Sequence, residues 1–392
     1  MGMQSRHLWA GLALAFMAGG CASTQPPVRA SAAGVAGSAC RTASAMIAFD
    51  FDGASSSACA VTGERSFDVL VTPEHAPPIN PSPWYAFRYE AQGDAPVIVT
   101  LRYLGAAHRY NPKWRSGAES RELPVTTGND GARAMIELPP GQGVVSAQEV
   151  ITPADARADL QRWAALAGTQ VFTLGQSRDG RPVEAIRIGR ADAPRLVILL
   201  GRQHPPEVTG AIAMQAFVDQ LTGQGGELPE DLQFLIVPML NPDGVVRGHW
   251  RANRGGIDLN RDWGDFSQPE TRAVKGWLDA LPPEVRPVLM IDFHSTGRNL
   301  FYVQGDEASP AQARFLAAWL GGRESAFAGW PFTIEPRNAN PGSGTAKNWF
   351  FAAYAIPAYT YEVADTADRA ATRAAAQALA ASLPAALEVF AQ

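Results

Sequence analysis

Three short runs constrain this chain more than any other feature: Arg195-Leu196-Val197-Ile198-Leu199-Leu200, Leu232-Gln233-Phe234-Leu235-Ile236-Val237-Pro238 and Val288-Leu289-Met290-Ile291-Asp292-Phe293. Each has the length of a strand and almost no polar alternation, so neither face of such a strand can be left in water. Covering both faces takes helices above and below. Segments with helical spacing do lie between and after the runs, at about 208–222, 269–280, 310–322 and 367–391. The pattern predicts an α/β sheet with helices on both faces.

The earlier part of the chain reads differently. Met46-Ile47-Ala48-Phe49, Phe67-Asp68-Val69-Leu70-Val71, Trp84-Tyr85-Ala86-Phe87-Arg88-Tyr89 and Val97-Ile98-Val99-Thr100-Leu101-Arg102-Tyr103 are short alternating runs separated by Gly, Pro, Asn and Ser. That spacing predicts a small antiparallel β-sandwich over 40–150. A helix over 153–166, N-capped by Thr152, opens a second domain expected over 151–392. With 33 basic against 38 acidic side chains the formal net charge is −5, and no clustered basic excess marks a nucleic-acid partner.

Arg6 and His7 precede an apolar stretch, Leu8 to Gly20, that is too short to span a bilayer. Residues 1–21 therefore read as a signal peptide. Their end, Ala18-Gly19-Gly20-Cys21, is similar to a bacterial lipobox, although the first of these positions is usually a larger aliphatic residue. Cys21 is then a candidate for lipidation, and 22–39, rich in Ala, Ser, Pro and Gly, suits a flexible tether. The chain is expected to be exported, to the periplasm or to a lipid anchor in the outer membrane, with no other membrane contact. Two cysteines remain, Cys40 and Cys59. In an oxidising compartment they form the expected disulfide.

Chemistry concentrates where the buried runs end. After the first comes Gly201-Arg202-Gln203-His204-Pro205-Pro206-Glu207, and after the third Asp292-Phe293-His294-Ser295-Thr296. Two histidines and a carboxylate can converge on zinc and leave a fourth position open, and open α/β sheets form their crevice at strand ends. Between these segments run Pro238-Met239-Leu240-Asn241-Pro242-Asp243-Gly244-Val245 and Asp258-Leu259-Asn260-Arg261, and near the end stands Ala358-Tyr359-Thr360-Tyr361-Glu362.

Together these motifs resemble the zinc carboxypeptidase family of metallopeptidases over about 170–365, in a form most similar to the cytosolic carboxypeptidase branch and its bacterial relatives. The resemblance implies a mixed central sheet preceded by a sandwich, and one zinc per chain. It implies that His204, Glu207 and His294 ligate the metal, and that Asp258 orients His204. It further implies that Asn260 and Arg261 grip the substrate's terminal carboxylate, that Arg251 stabilises the oxyanion, and that Glu362 is the general base. His249 has no part in the family's pattern and is expected in a packing or surface role.

The expected activity is hydrolysis of C-terminal residues from peptides with a free carboxylate. The position facing the specificity pocket corresponds to Lys347, which points to acidic C-terminal residues, glutamate before aspartate, in proteins or cell-wall peptides. One departure stands out. Many members carry a tyrosine on a mobile loop over the substrate; counting back from Glu362 by the family's spacing reaches Asn340, and no tyrosine occurs between Tyr302 and Tyr354. Two alternatives stay open: an aspartoacylase-like hydrolase of N-acyl amino acids, which shares the two-histidine, one-glutamate site, and a cell-wall binding module in which the metal site is secondary.

Overall fold

The structure, a computed structural model, describes residues 39–55, 58–75, 80–223, 228–340 and 342–391. The expected signal peptide over 1–21 with Cys21, and all but the last residue of the expected tether, lie outside the described residues.

From Cys40 to Ser146 the chain forms two facing sheets. One has the strand order Cys40–Arg41, Ala45–Ala48, Ala86–Ala91, Gly141–Ser146, Lys113–Ser116, Glu119–Glu122. The other runs Cys59–Gly63, Ser66–Val71, Val97–Tyr103, Arg133–Leu138, Val125–Thr127. Burial alternates along the strands, so that Val97, Val99 and Leu101 enter the core with Ile47, Phe87 and Val145 from the facing sheet. Pairing is antiparallel, with one exception: Ser66–Val71 runs parallel to Val97–Tyr103. Between them the chain crosses to the other sheet as Ala86–Ala91, and such a crossover brings it back in the same direction. A disulfide joins Cys40 to Cys59, tying an edge strand of one sheet to an edge strand of the other.

The helix Pro153–Ala167 follows, with Thr152 and Asp155 bonding each other's backbone N–H at its start and Gly168 in the left-handed region at its end. Beyond it lies an eight-stranded mixed sheet in the order Val171–Gln176, Pro182–Ile188, Leu232–Val237, Arg195–Gly201, Arg286–Thr296, Ala358–Ala364, Leu300–Val303, Thr333–Pro336. Its four central strands are parallel, and antiparallel pairs flank them.

The buried runs serve both faces, as their lack of alternation requires. Val197 and Leu199 pack under the helices Val208–Gly223, Pro310–Trp319 and Arg369–Ala391. Leu196, Ile198 and Leu200 pack against Pro269–Asp279 and Ala346–Tyr354. The helix expected to reach residue 322 ends at Trp319, shortly before Gly321-Gly322. Among the described residues no helix is long and apolar enough to cross a membrane.

Candidate metal centre and active site

The carboxyl ends of the central parallel strands open onto a cavity of about 690 Å3. His204 and Glu207 stand on the turn that leaves Arg195–Gly201, and His294 stands near the end of the adjacent strand Arg286–Thr296. Ligand atoms of these three buried residues all lie within 4.8 Å of one another. The Nδ1 atoms of His204 and His294 face Oε1 and Oε2 of Glu207 at 2.8 and 2.6 Å. Each Nε2 meets a different carboxylate: Asp258 Oδ1 at 2.8 Å from His204 and Asp292 Oδ2 at 2.6 Å from His294.

A carboxylate behind each imidazole favours the Nε2–H tautomer and turns the Nδ1 lone pair to the centre. Two imidazoles and one carboxylate, oriented in this way and with room on the cavity side, fit zinc. Burial alone would lower the His294 imidazole, but Asp292 and Glu207 outweigh it and hold it well above its ordinary range. The centre is thus set up electrostatically for a cation.

Close packing brings Glu207 to His294. The helix Val208–Gly223 begins directly after Glu207, and a Cβ placed on Gly210 would collide with the backbone of His294. The turn is fixed from the other side as well. Asn241 Nδ2 donates to the Gln203 carbonyl at 3.0 Å, while the Gln203 side chain accepts from Trp263 Nε1 at 2.9 Å and donates to Asp292 at 2.6 Å.

Glu362 lies on Ala358–Ala364 directly across the strand register from His294. Its Oε2 is buried with no hydrogen-bond partner among the described residues. Burial is the main cause that pushes its carboxyl up to about 7, near the value that suits a general base at neutral pH.

Arg251 donates from Nε to Asp258 Oδ2 at 2.6 Å, so one carboxylate holds both Arg251 and His204. Arg261 donates from Nη1 to the Asn260 carbonyl at 2.6 Å. Asn260 Oδ1 accepts from Ala346 N at 2.9 Å, which ties it to the start of the helix Ala346–Tyr354. The next residue, Lys347, is 5% exposed, donates to the Arg337 carbonyl at 2.8 Å, and is pushed down to about 8 by burial. Arg251, Asn260, Arg261, Lys347 and Glu362 all line the cavity with the metal-binding trio. His249 is buried away from it, with Nδ1 2.9 Å from the Ala252 carbonyl.

Other residues here escaped the sequence reading. Asp292 was in plain view: two positions before His294 on a strand, it must share His294's face. Arg109, from the sandwich, lines the cavity and pairs with Asp365 at 2.7 Å. No local pattern links residues so distant in the chain. Tyr302, Arg337 and Asn338 line the cavity as well.

Residues 166–377, more than half of the chain, match the model of the zinc carboxypeptidase family. The chain is 31% identical over 169 residues to an uncharacterised protein of Zymomonas mobilis, covering 41% of this chain and 40% of that one. It is 35% identical over 136 residues to human cytosolic carboxypeptidase 6, covering 31% and 27%. It therefore spans well under two thirds of these relatives' length.

In fold it is similar to a metallo-carboxypeptidase from Burkholderia cenocepacia, with a TM-score of 0.70 at 21% identity over 89% of this chain and 99% of that one. A metallo-carboxypeptidase from Pseudomonas aeruginosa gives 0.69 at 20% identity over 88% and 99%. This chain belongs to the zinc carboxypeptidase family. Its cofactor is zinc, which the His204, Glu207 and His294 donors suit.

Proposed function

We propose that the protein is an exported zinc carboxypeptidase that removes C-terminal residues from peptides and prefers acidic ones. One observation carries the reading: the donor trio, Glu362, Arg251, Arg261 and Lys347 line a single cavity. When bound, zinc supplies Lewis-acid polarisation of the scissile carbonyl and lowers the pKa of water beside it.

The chain's own residues do the rest. Glu362, whose carboxylate lines the cavity, takes the proton of the attacking water and hands it to the leaving amine. Arg251, with Nε held by Asp258, offers its remaining donors to the developing oxyanion. Arg261 and the Asn260 amide group receive the terminal carboxylate, for which a planar guanidinium is well shaped. Lys347 is a buried cation at the cavity wall, suited to a side-chain carboxylate.

The test is a screen of peptides varied at the C-terminus, γ-linked glutamates and N-acyl amino acids included, with zinc-loaded protein. Glutamate-terminated peptides should be cleaved best; turnover of N-acyl amino acids alone would assign the site to an amide hydrolase. Export is supported by the Cys40–Cys59 disulfide, which suits an oxidising compartment. The mass of the mature N-terminus from a fractionated cell tests it. A lipidated Cys21 at the mature N-terminus is the expected result, and an intact Met1 in the cytosolic fraction would exclude export.

A further inference from the structure

The strand Ser66–Val71 of the sandwich runs on into Thr72-Pro73-Glu74-His75, which lies against the loop that carries Arg251. Glu74 Oε2 accepts from Trp250 N at 2.7 Å, and Oε1 accepts from Arg251 N at 3.0 Å and Ala252 N at 2.6 Å. Three consecutive amides thus turn to one carboxylate, in bonds strengthened by its charge. None of the three has a backbone acceptor among the described residues. A loop whose donors lack partners of its own depends on whatever satisfies them.

The following residue closes the contact. A Cβ on Gly256, where φ is +76°, would sit 2.8 Å from His75 Nε2, and the His75 ring meets His249 edge-on at 6.4 Å. Arg251 is therefore held at both ends, its backbone by Glu74 and its Nε by Asp258. Glu74 does not line the cavity. Its influence on chemistry has to pass through the loop.

We propose that Glu74 is a positioning residue. By fixing the backbone of Trp250, Arg251 and Ala252 it sets the Arg251 guanidinium where the oxyanion develops, and the sandwich thereby completes the active site. This rests on the peptidase reading above.

The test uses the full-length, zinc-loaded protein and a peptide ending in glutamate. Glu74→Gln loses the charge and one acceptor oxygen, and should lower kcat by about 10- to 100-fold, the scale of a misplaced catalytic group. KM and zinc content should stay near wild type, because neither Arg261 nor the ligands are bonded to Glu74. In an Arg251→Ala background the same change should have no further effect on kcat, the non-additivity expected of residues acting as one unit. Hydrogen exchange at the amides of Trp250, Arg251 and Ala252 should quicken.

If Glu74→Gln does not fold, Glu74→Asp keeps the charge on a shorter arm and should show a smaller kcat loss that again vanishes without Arg251. An equal loss with and without Arg251, a change in KM alone, or an unchanged kcat would overturn the proposal and leave the peptidase reading standing. A wild-type protein that cleaves no peptide overturns that reading first, and this one with it.

Discussion

Asp292 Oδ2 lies 2.6 Å from His294 Nε2, with the two residues two positions apart on one face of one strand. Asp292 is fully buried and also accepts from Gln203, so the imidazole has no freedom to turn. Asp292→Asn keeps the shape and removes the charge. Zinc affinity should fall by about 10- to 100-fold, measured by competition with a chromogenic chelator. An unchanged affinity would mean that packing alone orients His294.

Glu362 should separate metal binding from turnover. Glu362→Gln leaves His204, Glu207 and His294 in place, and the amide cannot accept a proton. Stoichiometric zinc by elemental analysis with kcat reduced to background is the expected outcome. A variant near wild-type kcat on its best substrate would remove Glu362 from the mechanism.

Recognition of the terminus can be read from the substrate alone. Amidating the peptide leaves the exposed Arg261 guanidinium facing a neutral group in place of a carboxylate, so kcat/KM for the amide should fall below that for the free acid. In Arg261→Ala the free acid should fall to the rate of the amide. Equal cleavage of acid and amide by the wild type would point to an endopeptidase.

If Lys347 reads an acidic side chain, selectivity should depend on pH. Desolvation pushes the ammonium down to about 8, so it is protonated below that value and neutral above it. Because kcat/KM reports the free enzyme, the preference for C-terminal Glu over Gln should be full below about pH 8 and shrink as pH rises past it. Lys347→Met should lack the preference at every pH. A ratio flat from pH 6 to 10 in the wild type would place the reader of acidity elsewhere.

The Cys40–Cys59 bond spans 19 positions and links the two sheets at their edges. Replacing both cysteines by serine should cost about 3 kcal/mol by loop-closure entropy, seen as a lowered urea midpoint. The zinc site is built on other elements, so metal affinity should not change.

What could be read from the chain in advance follows the range of the interactions involved. The run Arg195–Leu200 reads as a strand because its five consecutive apolar residues, Leu196 to Leu200, suit burial on both faces, and it extends through Gly201. His204, Glu207 and His294 stand where buried strands end, and their residue types alone suggest a metal. Glu74, Arg109, the edge strand Val171–Gln176 and its neighbour Pro182–Ile188 are another matter. Their places depend on partners far along the chain, and their own composition is unexceptional. Asp292 is the instructive case: period-two alternation would have paired it with His294 had that strand been read for its polar face.

Gly210 carries no chemistry, yet the helix that begins beside Glu207 can rest on the His294 backbone only because nothing projects from that position. A single methyl group there would lift the helix and carry Glu207 away from the imidazoles. Variation at this site would then pass for loss of a ligand: a chain with every donor intact, and folded, that no longer retains its metal.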